Sequence, residues 1–143
     1  MGAMRLTRTI PALPVQDAVA AARFYSERLG FTVHHEDDGF ALLRRDDAEL
    51  HLWGASDVSW RGRDDLAARP VVSGAESFIA GTASCRVHCD DVDALYAEMA
   101  AAGVLHGVSG SGPQETDYGT REFHVLDLDG NLLTFFLRSG QAS

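Results

Sequence analysis

The sequence predicts an α+β fold built from two tandem modules, each with the element order βαβββ. Two segments of similar pattern, residues 40–53 (FALLRRDDAELHLW) and 123–136 (FHVLDLDGNLLTFF), lie 83 residues apart. Both begin with Phe, pass through an apolar run and an acidic turn, and end on an aromatic residue. Two helix-like runs that begin at Asp17 and Asp91 lie 74 residues apart. Such a duplicated unit is expected to curve its sheets around a shared cleft, where we expect function to lie.

Length and composition indicate one domain outside the membrane. A chain of 143 residues with 45% apolar content is ordinary for a single globular domain. No apolar run approaches the roughly 20 residues that a membrane helix needs. The first residues lack a charged-then-apolar leader, so the expected location is the cytoplasm.

The net charge of −9 indicates which classes of ligand the protein attracts and which it repels. Such a chain repels phosphate backbones, which argues against nucleic acid, and it favours a cationic ligand. Cys85 and Cys89 are four residues apart on a predicted strand, so their Cα atoms are separated by about 13 Å, too far for a disulfide. Two free thiols are consistent with a reducing compartment.

The first module is predicted to span residues 7–53. Asp17 is a suitable N-cap for a helix over 18–29, and Gly30 follows it at the C-terminal end. The predicted strands are 9–15, which contains Pro11 and Pro14 and therefore suits an edge, then 31–35, 39–44 and 49–53.

Residues 54–81 have no counterpart in the repeat and are interpreted as a linker, with a short helix around 64–68. Linkers of this length are uncommon without a role. The second module is predicted over 82–138. Its helix, 92–102, is capped by Asp91 and closed by Gly103, and its strands are 83–89, 105–108, 121–127 and 131–137, with a Gly/Ser-rich loop over 109–116.

Two motifs carry a resemblance to a known family. YGTREF at 118–123 and DLDGN at 127–131, together with the doubled βαβββ pattern, resemble the vicinal oxygen chelate superfamily, which includes glyoxalase I, extradiol dioxygenases and bleomycin-resistance proteins. The resemblance covers nearly the whole chain except 54–81 and is closest to the bleomycin-resistance branch. Leu128 stands where the family usually carries proline, a departure that affects only the stiffness of the turn.

The resemblance also places the family's metal-ligand positions. In this chain they fall on Ile10, His51, Ser84 and Thr134. A divalent ion needs several strong N, O or S donors, whereas Ile10 has no donor atom and hydroxyl groups are weak ligands. His51 alone does not make a site, so we predict no metal, no cofactor and no catalytic residue. The other histidines lack metal-binding spacing, and strand alternation predicts that His88 and His124 face outward.

An aromatic cleft is predicted in place of the metal. The resemblance points His51 and Thr134 into the cleft, and period-two alternation places Trp53 and Phe136 on the same faces. Phe40 and Tyr118 match positions that stack on the drug in bleomycin-resistance proteins, Trp60 is a candidate lid residue, and Asp38, beside Asp37, is placed to meet a cationic group. The predicted ligand-binding residues are therefore Phe40, His51, Trp53, Trp60, Tyr118, Thr134, Phe136 and Asp38. A core role remains an alternative for Phe136 and His51, and a solvated turn for Asp38.

The predicted function is metal-free sequestration of an aromatic antibiotic, which confers resistance. The sequence leaves open a bleomycin-type glycopeptide or a polycyclic anthraquinone- or enediyne-type natural product. The alternatives are a divalent-metal-dependent lyase, isomerase or dioxygenase, and a small-ligand sensor or accessory protein. The resemblance further implies a homodimer that exchanges its first strand.

Overall fold

The computed structural model describes residues 2–55, 59–70 and 79–139. The described elements confirm the predicted α+β fold with two βαβββ modules. The first module contains β1 (Ala12–Val15), α1 (Ala18–Arg28), β2 (Thr32–Glu36), β3 (Phe40–Arg45) and β4 (Ala48–Gly54); the second contains β5 (Ser84–His88), α2 (Val92–Ala102), β6 (Gln114–Glu115), β7 (Thr120–Leu126) and β8 (Leu132–Arg138).

The two sheets have the same topology, as a duplicated unit requires. Their strand orders are β1-β4-β3-β2 and β5-β8-β7-β6. In each, the first strand of the module runs parallel to the last, and the remaining pairs are antiparallel.

Both helices begin at an aspartate that caps them. The side chain of Asp17 accepts a hydrogen bond from the Ala20 amide, and that of Asp91 accepts one from the Ala94 amide, each at 3.0 Å. These bonds satisfy amide groups that have no partner within the first turn of a helix. Gly103, with φ of 73°, ends α2 in the left-handed conformation that glycine adopts without steric cost.

One hydrophobic core extends through both modules. Alternate residues of the strands, such as Leu50 and Leu52 on β4 and Val125 on β7, are fully buried in it. Buried polar contacts also join the modules: the Tyr25 hydroxyl donates to Asp127 at 2.8 Å, and the Asn131 amide donates to the Pro14 carbonyl at 2.8 Å. The two halves therefore fold around shared contacts.

The second module differs from the prediction at its outer strand. The predicted strand over 105–108 is reduced to a single bridge between Leu105 and Val125, followed by a short 3-10 helix at Gly107–Ser109. The His106 side chain accepts from the Val108 amide at 3.0 Å and so favours the turn over an extended strand. The outer strand is instead β6 (Gln114–Glu115), inside the predicted loop.

The part of the linker that the structure describes contains turns. A 3-10 helix spans Ser59–Gly62, and the predicted helix around 64–68 is only a turn, in which the Ala68 and Arg69 amides donate to the Asp65 carbonyl. Residues 56–58 and 71–78, and the side chain of Trp60, lie outside the described residues.

Two further expectations concern the cysteines and the membrane. Cys85 and Cys89 are both free thiols, as their predicted spacing on one strand requires. Within the described ranges, neither helix has the length and apolar character needed to cross a membrane.

Candidate functional site

Each sheet has one face in the core and an opposite face outside it. The opposite face of the sheet β1-β4-β3-β2 is called the first open face, and that of the sheet β5-β8-β7-β6 the second open face. On β4, Leu50 and Leu52 point into the core, which places Glu49, His51 and Trp53 on the first open face. The same alternation on β5, β7 and β8 places further side chains on the second open face. Those used below are Arg86, His88, Glu122, His124, Thr134 and Phe136.

On the first open face, an aromatic pair lies against a histidine–carboxylate pair. Phe40 is opposite Trp53 in the strand register, and its ring lies edge-to-face with His51 at a centroid distance of 5.0 Å. His51 Nε2 lies 2.8 Å from a Glu49 carboxylate oxygen. This pairing combines flat apolar surface with fixed polar atoms.

Glu49 is a shielded anion. Its side chain is only 7% exposed, and it receives Arg44 at 2.9 Å and Arg8 at 3.4 Å. The hydrogen bond with His51, followed by that from Arg44, lowers the pKa of the Glu49 carboxyl below its ordinary value. Glu49 is therefore ionised at neutral pH and holds His51 in place.

The second open face is organised around another shielded carboxylate, Glu122, whose side chain is 4% exposed. The Tyr118 hydroxyl donates to one of its oxygens at 2.5 Å. Arg86 and the Thr120 hydroxyl donate to the other, each at 2.9 Å. Burial alone would raise the pKa of Glu122, but these hydrogen bonds outweigh it and lower the pKa. Glu122 thus stays anionic and fixes its three donors.

Aromatic surface and charge are stacked on this face. The Cζ atom of Arg86 lies 4.4 Å from the ring centroid of Phe136 and 5.9 Å from that of Tyr118. His88 meets Phe136 edge-to-face at 5.5 Å. These distances are within the range of cation–π and aromatic pairing.

Strand alternation places His88 and His124 away from the core, as predicted: His88 is exposed and His124 partly exposed, whereas Val125 is buried. That side is the second open face, where both histidines make contacts. His124 Nδ1 lies 2.8 Å from the Thr134 hydroxyl, and His88 lies against Phe136. Both histidines therefore belong to the neighbourhood of the predicted site.

The residues at the family's ligand positions do not fit a divalent metal. Ile10 offers no donor, His51 is engaged by Glu49, and the Thr134 hydroxyl is engaged by His124. In the ranges that the structure describes, no cluster of three or more His, Cys, Asp or Glu side chains is arranged to hold an ion. The polar atoms at these positions are therefore suited to hydrogen bonding and not to metal coordination.

The predicted site residues fall into two groups. Phe40, His51 and Trp53 lie on the first open face, and Tyr118, Thr134 and Phe136 lie at the second. Asp38 is exposed in the turn between β2 and β3. Arg86, Glu122 and His124 were not among the predicted site residues, although alternation from Thr134 and its register partners places them on the same face.

A depression of about 320 Å³ lies where the two sheets meet. It is lined by Glu49 from β4 and by Arg86 and His88 from β5, with Pro11 at its border. A larger cavity of about 470 Å³ adjoins it between the β3–β4 turn and α2, shares His88 with it, and is rimmed by acidic side chains. Of the predicted ligand-binding residues that the structure describes, none lines either cavity; apart from Asp38, they lie on the open sheet faces.

Known proteins share this architecture and sequence. Residues 7–135 match the family model described as Glyoxalase/Bleomycin resistance protein/Dioxygenase superfamily. A bleomycin resistance protein of Geobacillus stearothermophilus is 46% identical over 131 residues, which cover 92% of this chain and 96% of that protein.

Two solved structures are similar over nearly their full length. The bleomycin resistance determinant encoded on the transposon Tn5 is 26% identical with a TM-score of 0.67, covering 95% of this chain and 100% of that one. The bleomycin-binding protein from bleomycin-producing Streptomyces verticillus, complexed with copper(II)-bleomycin, is 27% identical with a TM-score of 0.68, covering 97% and 100%. The chain therefore belongs to the glyoxalase/bleomycin resistance protein/dioxygenase superfamily, in the branch of the bleomycin resistance proteins.

Proposed function

We propose that this protein binds a bleomycin-type antibiotic between open sheet faces and sequesters it without changing it chemically. The observation that carries the proposal is the presence of two aromatic groups on the open faces, Phe40 with Trp53 and Tyr118 with Phe136, beside ligand positions that do not fit a metal. Its relatives are bleomycin resistance proteins, and one similar structure holds copper(II)-bleomycin.

The aromatic surfaces supply enough binding free energy for this role. At about 25 cal/mol per Å², burial of about 300 Å² of apolar surface contributes roughly 7 kcal/mol before the cost of association. The net charge of −9 adds attraction for a cationic drug. A neutral anthraquinone- or enediyne-type guest would rely on the aromatic surfaces alone.

Direct binding tests the proposal. Thermal shift and calorimetry with metal-free bleomycin, copper(II)-bleomycin, an anthraquinone and an enediyne should show stabilisation by the bleomycins, because a ligand that binds only the folded state raises apparent stability. The drug recovered after incubation should be intact by mass spectrometry. Binding without a gain in drug tolerance in a sensitive host would favour a sensor, and turnover of the drug would favour an enzyme.

Metal analysis separates the binder from the rival metal-dependent lyase, isomerase or dioxygenase. We expect purified protein to contain far less than one equivalent of Fe, Mn, Ni or Zn, since the residues at the ligand positions offer one strong donor. If near-stoichiometric metal is retained after dialysis and is lost in His51→Ala, the result would support a metal-dependent enzyme instead of a binder.

We also propose that the protein acts as a homodimer in the cytoplasm. Support comes from the first residues, 2–9, which are all exposed, with Met4 97% and Leu6 100% exposed. Apolar side chains on an extended arm favour packing on a second chain, and two-fold dimers are the commonest oligomers. Light scattering should give twice the chain mass, and removal of residues 1–9 should shift the protein towards monomer.

The module boundaries 7–53 and 82–138, the linker 54–81 and a lid role for Trp60 are part of the same proposal. Trp60 is the residue to test, because an indole in the lid would stack on the guest. Trp60→Ala should weaken bleomycin binding and reduce the quenching of tryptophan fluorescence by the drug. Unchanged affinity and quenching would remove Trp60 from the site.

A further inference from the structure

Arg86 covers the aromatic wall formed by Phe136. It lies on β5 directly opposite Thr134 in the strand register, and its guanidinium carbon is 4.4 Å from the Phe136 ring centroid. That distance is short for a cation–π pair, for which contacts extend to about 6 Å. A flat molecule that approaches this wall therefore meets a guanidinium group before it meets the ring.

Buried Glu122 fixes this cation. One carboxylate oxygen accepts from Arg86 Nη2 at 2.9 Å, and the other accepts from the Tyr118 hydroxyl. The Glu122 side chain is 4% exposed, whereas that of Arg86 is 47% exposed. Arg86 is thus anchored at one side and accessible at another.

The position of Arg86 also makes it reachable. It lines the depression of about 320 Å³ at the meeting of the two sheets, opposite Glu49. Glu49 is already paired with Arg8, Arg44 and His51, whereas the Arg86 side chain remains 47% exposed. A guest that enters the depression can therefore reach the guanidinium group of Arg86.

We propose that Arg86 is a specificity-determining residue, on whose guanidinium, rather than on the Phe136 ring, the planar group of the guest stacks. This inference rests on the proposed function and names the chemistry of one end of its site. A guanidinium plane attracts the electron-rich face of an aromatic ring or an anionic substituent, and repels a cationic one. The class selected is a planar, electron-rich heteroaromatic group whose cationic substituents lie away from Arg86. Glu122 is the positioning residue.

Arg86→Lys is the primary test. Lysine keeps the charge and can still pair with Glu122, but it lacks the planar group. The Kd for copper(II)-bleomycin, measured by calorimetry, should rise about tenfold, with the thermal midpoint within about 2 °C of the wild-type value. Arg121→Lys is the matched control, because Arg121 is held by other carboxylates, those of Asp93 and Glu115. Its Kd should be unchanged.

Arg86→Met exposes the Phe136 ring and separates the two ways of stacking. If the guest stacks on Arg86, affinity for copper(II)-bleomycin falls; if it stacks on Phe136, affinity stays the same or increases. Unchanged affinity of the Arg86→Lys protein, or unchanged or increased affinity of the Arg86→Met protein, overturns the inference. Should Arg86→Met be unstable, the double variant with Glu122→Gln removes the unpaired charge and repeats the comparison.

Two probes with the same ring system and opposite charges test the role of Arg86 independently of bleomycin binding. The wild type should bind pyrene-1-sulfonate more tightly than pyrene-1-methylammonium, and Arg86→Met should lose that preference. An equal preference in both proteins would overturn the role of Arg86. Failure of the wild type to bind bleomycin would sink the proposed function, while the pyrene pair would still report on Arg86.

Discussion

Trp53 has the features expected of a contact residue. It is half-buried near the end of β4 and opposite Phe40, whereas its neighbour Leu52 is fully buried. An aromatic side chain that keeps accessible surface beside a second ring is suited to stack on a guest. Its removal should therefore affect binding more than folding.

Trp53→Ala is expected to weaken bleomycin binding by about 2 kcal/mol and to lower the free energy of unfolding by less than about 1 kcal/mol. Phe123→Ala is the contrasting variant, because Phe123 is fully buried and stacks on Phe135; it should cost about 3–5 kcal/mol of stability. Calorimetry and urea denaturation measure the two effects. Equal losses of binding and stability in Trp53→Ala would identify Trp53 as a core residue.

Glu122 makes a pH-dependent contribution to stability whose sign follows from its lowered pKa. A carboxyl group whose pKa is lower in the folded state stabilises the protein above its unfolded pKa of about 4.3 and loses that contribution as the pH falls through the folded pKa. The stability difference between wild type and Glu122→Gln should therefore be larger at about pH 7 than at about pH 3. Urea denaturation at both pH values checks this; a difference that grows in acid would contradict it.

The sequence predicted the residues of the site that strand alternation places, but not those that cross-strand register places. Phe136 and Thr134 could be placed on one face because strand alternation depends only on position within a strand. The role of Glu122 depends on β7 lying beside β8 in a particular register, which sets Glu122 opposite Phe136. Cross-strand register between distant segments is not visible in local pattern, so the Arg86–Glu122 pair was missed.

At the scale of elements, helix α2 is the most locally determined part of the fold. Its bounds, Val92–Ala102, are those predicted, because an N-cap aspartate and a C-terminal glycine enclose an apolar stripe. Strand β6 is the opposite case. Two residues provide no periodicity, and Gln114–Glu115 pairs only because β7 offers it an edge.

Asp91→Ala should lower the free energy of unfolding by about 1 kcal/mol, because it removes the side-chain acceptor for the first turn of α2. Asp90→Ala is the matched control: it removes the same charge one residue earlier, outside the cap, and should change stability by less than about 0.5 kcal/mol. Urea denaturation of both variants makes the comparison. Equal effects would mean that charge, and not capping, is responsible.

At the scale of the whole molecule, buried polar contacts join the two modules. The Tyr25 hydroxyl on α1 donates to Asp127 in the second module, and burial, followed by the charge of Asp127, raises the Tyr25 pKa well above its ordinary value. A neutral, buried phenol in this position links the halves through the core. Unfolding should accordingly occur in a single cooperative transition.

Tyr25→Phe should lower the free energy of unfolding by about 1–2 kcal/mol, since it leaves a buried carboxylate with one donor fewer. Tyr96→Phe removes a hydroxyl whose 2.8 Å bond to the Ser109 carbonyl stays within the second module. Calorimetric scans should show a smaller loss for Tyr96→Phe and a single peak for both. Two separate peaks in the wild type would show that the modules unfold independently.

The outermost strands have a consequence for how much of this protein a cell can hold. Strand β2 carries a register shift between Val33 and His35, and β6 spans only Gln114–Glu115. Irregular or very short edge strands offer a neighbouring molecule few backbone groups with which to extend the sheet. A protein that neutralises a poison by stoichiometric capture protects only in proportion to its abundance. Such edge strands disfavour edge-to-edge aggregation at the high protein concentration that stoichiometric capture requires.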